Sequence, residues 1–317
     1  MKYSNLGSKA TRFGFGEGLK SIAEKEENII GLGSDITSSV CMNFFADAFP
    51  ERFYSLGIAE QNAIGVAAGL ALSGKLPVFA TYAVFAALRT TDQIRISLCY
   101  NNVHAIIGGA HAGISVGPDG ATHQALEDLA IMRVLPNMTV LSPCDANQAH
   151  LAVSAAVEQA NGPVYIRYGR EAVPNFTSFD LPFEIGKAQT LVDGDDITII
   201  ATGHMVWEAL VAVKKLKEEG VNARVINMHT IKPLDEETII KAARETGAIL
   251  TVEEHQIHGG LGSAVAEVVS QNHPVKMKIM GMPDCFGESG QPEELLDKYW
   301  LTSKYIIGQA IQLFRLK

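Results

Sequence analysis

The sequence predicts an α/β protein of two units, each built on a parallel sheet, and three observations carry that expectation. Short apolar stretches of strand length alternate with longer amphipathic ones, the pattern of repeated strand–helix–strand units. Hydrophobic residues make up 47% and charged residues 19% of a 317-residue chain, enough for a sizeable core and two ordinary domains. A polar stretch at 170–195 holds Pro174 and Pro182, ends in Asp193-Gly194-Asp195-Asp196, and interrupts the alternation. The expected division is a first domain at 1–172, a linker at 173–195 and a smaller second domain at 196–317.

In the first unit, residues 28–32 read as a strand. Phe53-Tyr54-Ser55 is a short β-like run that turns through Gly57 into a helix of small residues ending near 72. Strands follow at 78–82, 103–108, 139–142 and 164–168, and helices at 85–99, 123–134 and 145–159. Pro136 and Pro143 punctuate the helix-to-strand and strand-to-helix turns around 139–142. In the second unit a strand at 197–201 precedes Val206, Trp207, Leu210, Val213 and Leu216 at helical spacing, and Gly220 closes that helix. Strands at 223–228, 248–252 and 275–280 are expected to complete a smaller parallel sheet. The chain carries no internal repeat and no low-complexity tract.

Composition excludes several classes of function. A net charge of −9 provides no general footprint for nucleic acid or an anionic membrane, so a basic site for an anion must be local. Cys41, Cys99, Cys144 and Cys285 show no Cys-x-x-Cys spacing and read as reduced structural thiols of a cytoplasmic protein. The N-terminal residues lack the apolar core of a signal peptide. No apolar run reaches membrane-spanning length, and the Gly- and Ala-rich stretch at 63–73 suits close helix packing.

Four segments hold residues suited to one chemistry. Glu60 stands alone at a strand-to-helix junction, a place the helix macrodipole favours for a carboxylate. Tyr82 and Phe85 lie three apart where a strand breaks and suit stacking on a planar ring, while Phe79 reads as core. Such stacking contributes about 0.5–1.5 kcal/mol beyond area burial. The charges of Arg89, Asp92 and Arg95 are assigned to subunit contacts. In the Gly-rich loop from Gly109 to Gln124, His111 and His123 bracket Asp119 as His-x7-Asp-x3-His, and histidine is suited to moving protons near neutral pH. Arg167 and Arg170 close a strand, where α/β ligands tend to sit, and arginine offers phosphate a bidentate fork.

Together these segments resemble the pyrimidine-binding half of a thiamine diphosphate enzyme, and transketolase in particular. The resemblance implies that Glu60 hydrogen-bonds the cofactor's aminopyrimidine, that Tyr82 and Phe85 stack on it, and that Asp35 lies nearby. It makes Arg12, Ser39 and Arg170 phosphate contacts and Arg167 structural. It also places His111 and Asp119 on sugar phosphate and hydroxyl groups and His123 beside the cofactor. Deoxyxylulose phosphate synthases share the Asp119-Gly120-x-Thr122-His123 portion but lack the equivalent of His111, so His111 favours transketolase.

The second unit resembles the transketolase C-terminal domain at Thr202-Gly203-His204, Lys232-Pro233-Leu234 and Glu254, with Gly259, Gly260 and Gly262 after it. These glycines precede an apolar helix whose N-terminus would suit an anion, and His204 and His258 read as structural or interfacial. The family's Gly-Asp-Gly motif, which holds the diphosphate through Mg²⁺, has no counterpart, since Gly194-Asp195-Asp196 departs from it and Asp119-Gly120 belongs to the sugar loop. A Mg²⁺–diphosphate site needs octahedral oxygen ligands, and none is expected in this chain.

The resemblance therefore implies the C-terminal subunit of a split transketolase. Its reaction would move a two-carbon ketol unit from a ketose phosphate to an aldose phosphate. An N-terminal subunit would carry the diphosphate and Mg²⁺, in a heterotetramer of two chains of each kind. The alternatives are a deoxyxylulose phosphate synthase-like subunit, the β subunit of a 2-oxoacid dehydrogenase, and a non-catalytic scaffold that keeps the fold.

Overall fold

The computed structural model describes residues 3–317. Met1 and Lys2, the start of the stretch expected to lack a signal-type core, lie outside the described residues. The first unit opens with β1 (Ser8–Ala10), α1 (Thr11–Ala23), β2 (Ile29–Gly33), α2 (Asn43–Ala48), β3 (Phe53–Ser55), α3 (Glu60–Leu72) and β4 (Leu76–Tyr82). A helical stretch follows, in which α4 (Thr91–Gln93) separates two π-helical segments, Phe85–Arg89 and Ile94–Tyr100. Then come β5 (Ile106–Ala110), α5 (Asp128–Val134), β6 (Thr139–Leu141), α6 (Ala146–Glu158), β7 (Val164–Arg167) and β8 (Ala172–Pro174).

The second unit runs β9 (Gln189–Val192), β10 (Ile197–Ala201), α7 (Met205–Glu218), β11 (Ala223–Asn227), β12 (Thr230–Lys232) and α8 (Glu236–Thr246). It continues with β13 (Ala248–Gln256), α9 (Leu261–Asn272), β14 (Lys276–Met282), α10 (Pro292–Lys298) and α11 (Ser303–Leu316). No described helix is long and apolar enough to cross a membrane.

The larger sheet has the order β12-β6-β7-β5-β4-β2-β3, and the smaller has β14-β13-β10-β11-β9. Both are parallel except at one edge, where β12 runs antiparallel to β6 and β9 antiparallel to β11. Helices cover both faces, which is why β2, β5, β7 and β10 are buried along their whole length. Phe15, Leu19 and Ile22 of α1 are buried, each such side chain contributing about 1.5–3 kcal/mol. A Cβ on Gly14 would stand 1.9 Å from Ala146 O, so glycine is what lets α1 lie directly on α6. Phe15 stacks on Tyr168, centroids 4.4 Å apart.

Three expectations need correction. Residues 173–195 are more than a linker, because β9 within them forms the antiparallel edge of the smaller sheet and Phe176 and Phe183 are buried. That edge and β12 depart from the purely parallel pattern, and β12 carries the second unit's chain into the first unit's sheet. The helix expected at 123–134 begins only at Asp128. Ahead of it Ala125 bridges to Ala112, and Gln124 donates to Ile114 O at 3.2 Å and to Glu288 O at 2.9 Å, so tertiary hydrogen bonds hold these residues out of the helix.

Candidate active site

The candidate residues gather at the carboxyl ends of neighbouring parallel strands, where side chains on successive loops converge. Asp35 and Ser39 follow β2, Glu60 follows β3, Tyr82 ends β4, His111 follows β5, and Arg170 follows β7. Glu60 is the first residue of α3 and is buried. Its Oε2 accepts a hydrogen bond from Arg89 Nη1 at 2.9 Å.

From that carboxylate the contacts form a continuous row. The Arg89 guanidinium lies 4.2 Å from the Phe85 ring centroid. Phe85 is 6.0 Å from Tyr82, and both rings meet His123 edge-on, at 5.6 and 5.7 Å. Tyr82 also contacts His111, with centroids 4.4 Å apart, and its hydroxyl lies 2.9 Å from Ser39 Oγ. His111 Nε2 is 3.5 Å from the same Ser39 oxygen, and Arg12 Nη1 donates to Ser39 O at 3.1 Å. The row thus runs from a buried carboxylate, past aromatic rings, to a cationic end.

Asp119 and Arg170 stand beside it as an ion pair of 3.1 Å, with Arg170 Nη1 also donating to Val116 O at 3.2 Å. Asp35 is exposed, has a left-handed φ of 65°, and joins none of these contacts. Arg89, given to subunit contacts by sequence reasoning, here also meets Glu60 and Phe85. Its position four residues after Phe85 on a helical stretch is the signal that could have put it over that ring.

His111 is buried with a left-handed φ of 56°, and its Nδ1 is buried without a partner. Burial, then the charges of Arg12, Arg170 and His123, push its pKa down to about 3. His111 is therefore held neutral near pH 7 in this chain. The positive charge beside it belongs to Arg12 and Arg170.

Arg167 has the structural place expected of it. Its Nε donates to Asp128 Oδ2 at 2.9 Å, both side chains are buried, and Tyr165 Oη donates to the same carboxylate oxygen at 2.8 Å. Tyr165 and Arg167 are two apart on β7 and so share a face. The glycine-flanked N-terminus of α9 is not free for an outside anion. Buried Glu253 accepts hydrogen bonds from Leu261 N and Gly262 N, each at 2.7 Å.

The site fits one half of thiamine diphosphate. A buried carboxylate and two aromatic rings suit a flat heterocycle with a hydrogen-bonding edge. Among the described residues no group of three or more His, Cys, Asp and Glu side chains is placed to hold a metal ion.

Fold and site define an α/β chain with a pyrimidine-type cofactor face, followed by a second α/β unit. The family model for the transketolase pyrimidine binding domain matches residues 7–175, and that for the transketolase C-terminal domain matches 186–306. The chain belongs to the transketolase family. It is 41% identical to one subunit of an apulose-4-phosphate transketolase from Phocaeicola vulgatus, over 96% of this chain and 98% of that one. It is 40% identical to a 6-deoxy-6-sulfo-D-fructose transketolase subunit from Clostridium sp. (strain MSTE9), over 94% of this chain and 92% of that one. A solved structure described as a split gene transketolase, inactive beta4 tetramer, superposes with a TM-score of 0.90 at 46% identity, covering 98% of this chain and all of that one.

Proposed function

We propose that this chain is the C-terminal subunit of a split transketolase that moves a two-carbon ketol unit between phosphorylated sugars. The observation that carries the reading is the row of contacts from Glu60 to Arg12, with His111 between the aromatic rings and the cationic end. Thiamine diphosphate, when bound, supplies the nucleophilic carbon that such a transfer needs. Glu60 holds the pyrimidine edge, and Tyr82 and Phe85 fix the plane of its ring. His111 and Asp119 direct hydrogen bonds toward the sugar, His123 lies beside the cofactor, and Asp35 lies near it. Arg12, Ser39 and Arg170 receive the phosphate of a substrate.

The diphosphate and Mg²⁺ belong to an N-terminal partner subunit in this reading, and two chains of each kind form the working assembly. The relative described as an inactive tetramer of β chains supports that division. The relatives named for an apulose phosphate and for a sulfo-fructose both point to an anionic sugar.

The test is reconstitution with a partner of about 270–300 residues, an ordinary domain-scale chain with Gly-Asp-Gly. Ketol transfer and 2-oxoacid decarboxylation are assayed side by side. The proposal expects ketol transfer only from the pair, and little of it after Glu60→Gln. Tight, Mg²⁺-dependent cofactor binding by this chain alone, or decarboxylation without ketol transfer, would overturn it.

A further inference from the structure

The loop that carries His111 belongs to the first unit but is held by groups of the second. β13 extends four residues beyond its expected end at Val252 and reaches the first unit, bringing Glu253 and Glu254 with it. Glu254 is buried, and its Oε1 accepts a hydrogen bond from Ser115 N at 2.6 Å. Its Oε2 lies 3.0 Å from His204 Nδ1, at the start of α7. Its backbone carbonyl accepts from Arg167 Nη2 at 2.7 Å. Two residues on, Gln256 N donates to Leu126 O at 2.9 Å, beyond the other end of the loop.

The fit around the carboxylate is close. Gly113 has a φ of 91°, and a Cβ there would stand 2.2 Å from the Glu254 carboxyl carbon. Only glycine allows the chain to turn over that carboxylate and present Ser115 N to it. The 288–292 segment closes the opposite side. Glu288 O accepts from Gln124 Nε2, and a Cβ on Gly117 would meet Pro292 at 3.1 Å. The loop is thus held at Ser115 and Gln124, and its C-terminal flank at Leu126, by groups of the second unit.

The charges agree with this arrangement. Burial alone would lower the His204 pKa, yet Glu254 raises it overall. Burial alone would raise the Glu254 pKa, yet His204 and Arg167 lower it overall. Across the 3.0 Å contact each partner thus favours the charged form of the other.

We propose that Glu254 is a positioning residue. It reaches across from the second unit, is oriented by His204, and sets the backbone that aims His111. The second unit, on this view, takes part in catalysis through loop geometry while touching no substrate. The inference rests on the functional reading of His111 above, and its test separates the two.

Hydrogen exchange in the full chain reads the tether directly. Glu254→Ala should speed exchange at Ser115 and its neighbours in 112–117 about ten- to hundredfold, the range for a lost charge-assisted bond. Amides of Ile199 and Ile200 in β10 should keep their protection. Glu254→Gln retains an oxygen for Ser115 N–H and should restore much of the protection, while His204→Gln should give a smaller loss. In the enzyme reconstituted with its partner, kcat should fall with the loop protection across the three variants and KM should change less. If Glu254→Ala does not fold, the Glu254→Gln and His204→Gln pair decides by the same readouts. Uniform loss of protection across the chain overturns the proposal, as does a loosened loop with unchanged kcat. If the wild-type pair transfers no ketol unit, the functional reading falls, and the exchange pattern still decides the tether.

Discussion

Arg89 Nη1 lies 2.9 Å from Glu60 Oε2 while its guanidinium packs 4.2 Å from the Phe85 centroid. One cation therefore orients both the carboxylate and an aromatic ring assigned to the cofactor. Glu60 is buried, whereas 43% of the Arg89 side chain is exposed, so the pair is partly screened by water.

That screening sets the size of the expected effect. Arg89→Met should weaken thiamine diphosphate binding in the reconstituted enzyme by about 1–2 kcal/mol, or roughly five- to thirtyfold in Kd. Arg89→Lys keeps the charge but loses the planar fork and should fall between. Calorimetric titration of the cofactor is the check. A Kd unchanged by Arg89→Met would return Arg89 to the subunit-contact role.

Arg170 tests the anionic end of the site. In the structure it pairs with Asp119 at 3.1 Å and approaches Glu171 at 3.6 Å, so its charge is partly compensated before any substrate arrives. Losing a charge-assisted phosphate bond should cost about 1.5–3 kcal/mol, roughly ten- to hundredfold in kcat/KM. Arg170→Ala should thus raise KM for phosphorylated sugars far more than for their unphosphorylated analogues. A general loss of stability would harm both substrates alike, and equal losses would remove Arg170 from the site.

The legible parts of this molecule were those set by local pattern. Apolar runs marked the parallel strands, and the Gly57 turn marked the junction that delivers Glu60 to the head of α3. The parts that were not legible depend on partners distant in sequence. Gln124 is held out of a helix by Ile114 and by Glu288, 164 residues away. β12 leaves its own unit to pair with β6, which no periodicity in Thr230–Lys232 announces. The α9 N-terminus reads as an anion site in the sequence, but Glu253, eight residues before Leu261, fills it. Arg89 and Glu60 lie 29 residues apart, and only the fold shows that they meet.

His111 gives the chain a distinctive dependence on acid. Its imidazole pKa is depressed from an ordinary 6.5 to about 3, by burial first and by Arg12, Arg170 and His123 after it. Between those two values the unfolded chain binds a proton at this position that the folded chain refuses. Stability must therefore fall as pH drops through the window, with a limiting slope of about 1.4 kcal/mol per pH unit from this one group. His229 is depressed to about 4 by burial and adds a slope of the same sign, so the wild-type curve alone cannot isolate His111. The difference between wild type and His111→Gln does isolate it. Urea unfolding from pH 7 down to pH 4 should show the variant losing stability less steeply, whatever its absolute stability at pH 7. Parallel curves would mean that His111 takes up its proton in the folded state as readily as in the unfolded one. His111 would then titrate like an ordinary exposed histidine and would not be held neutral by its surroundings.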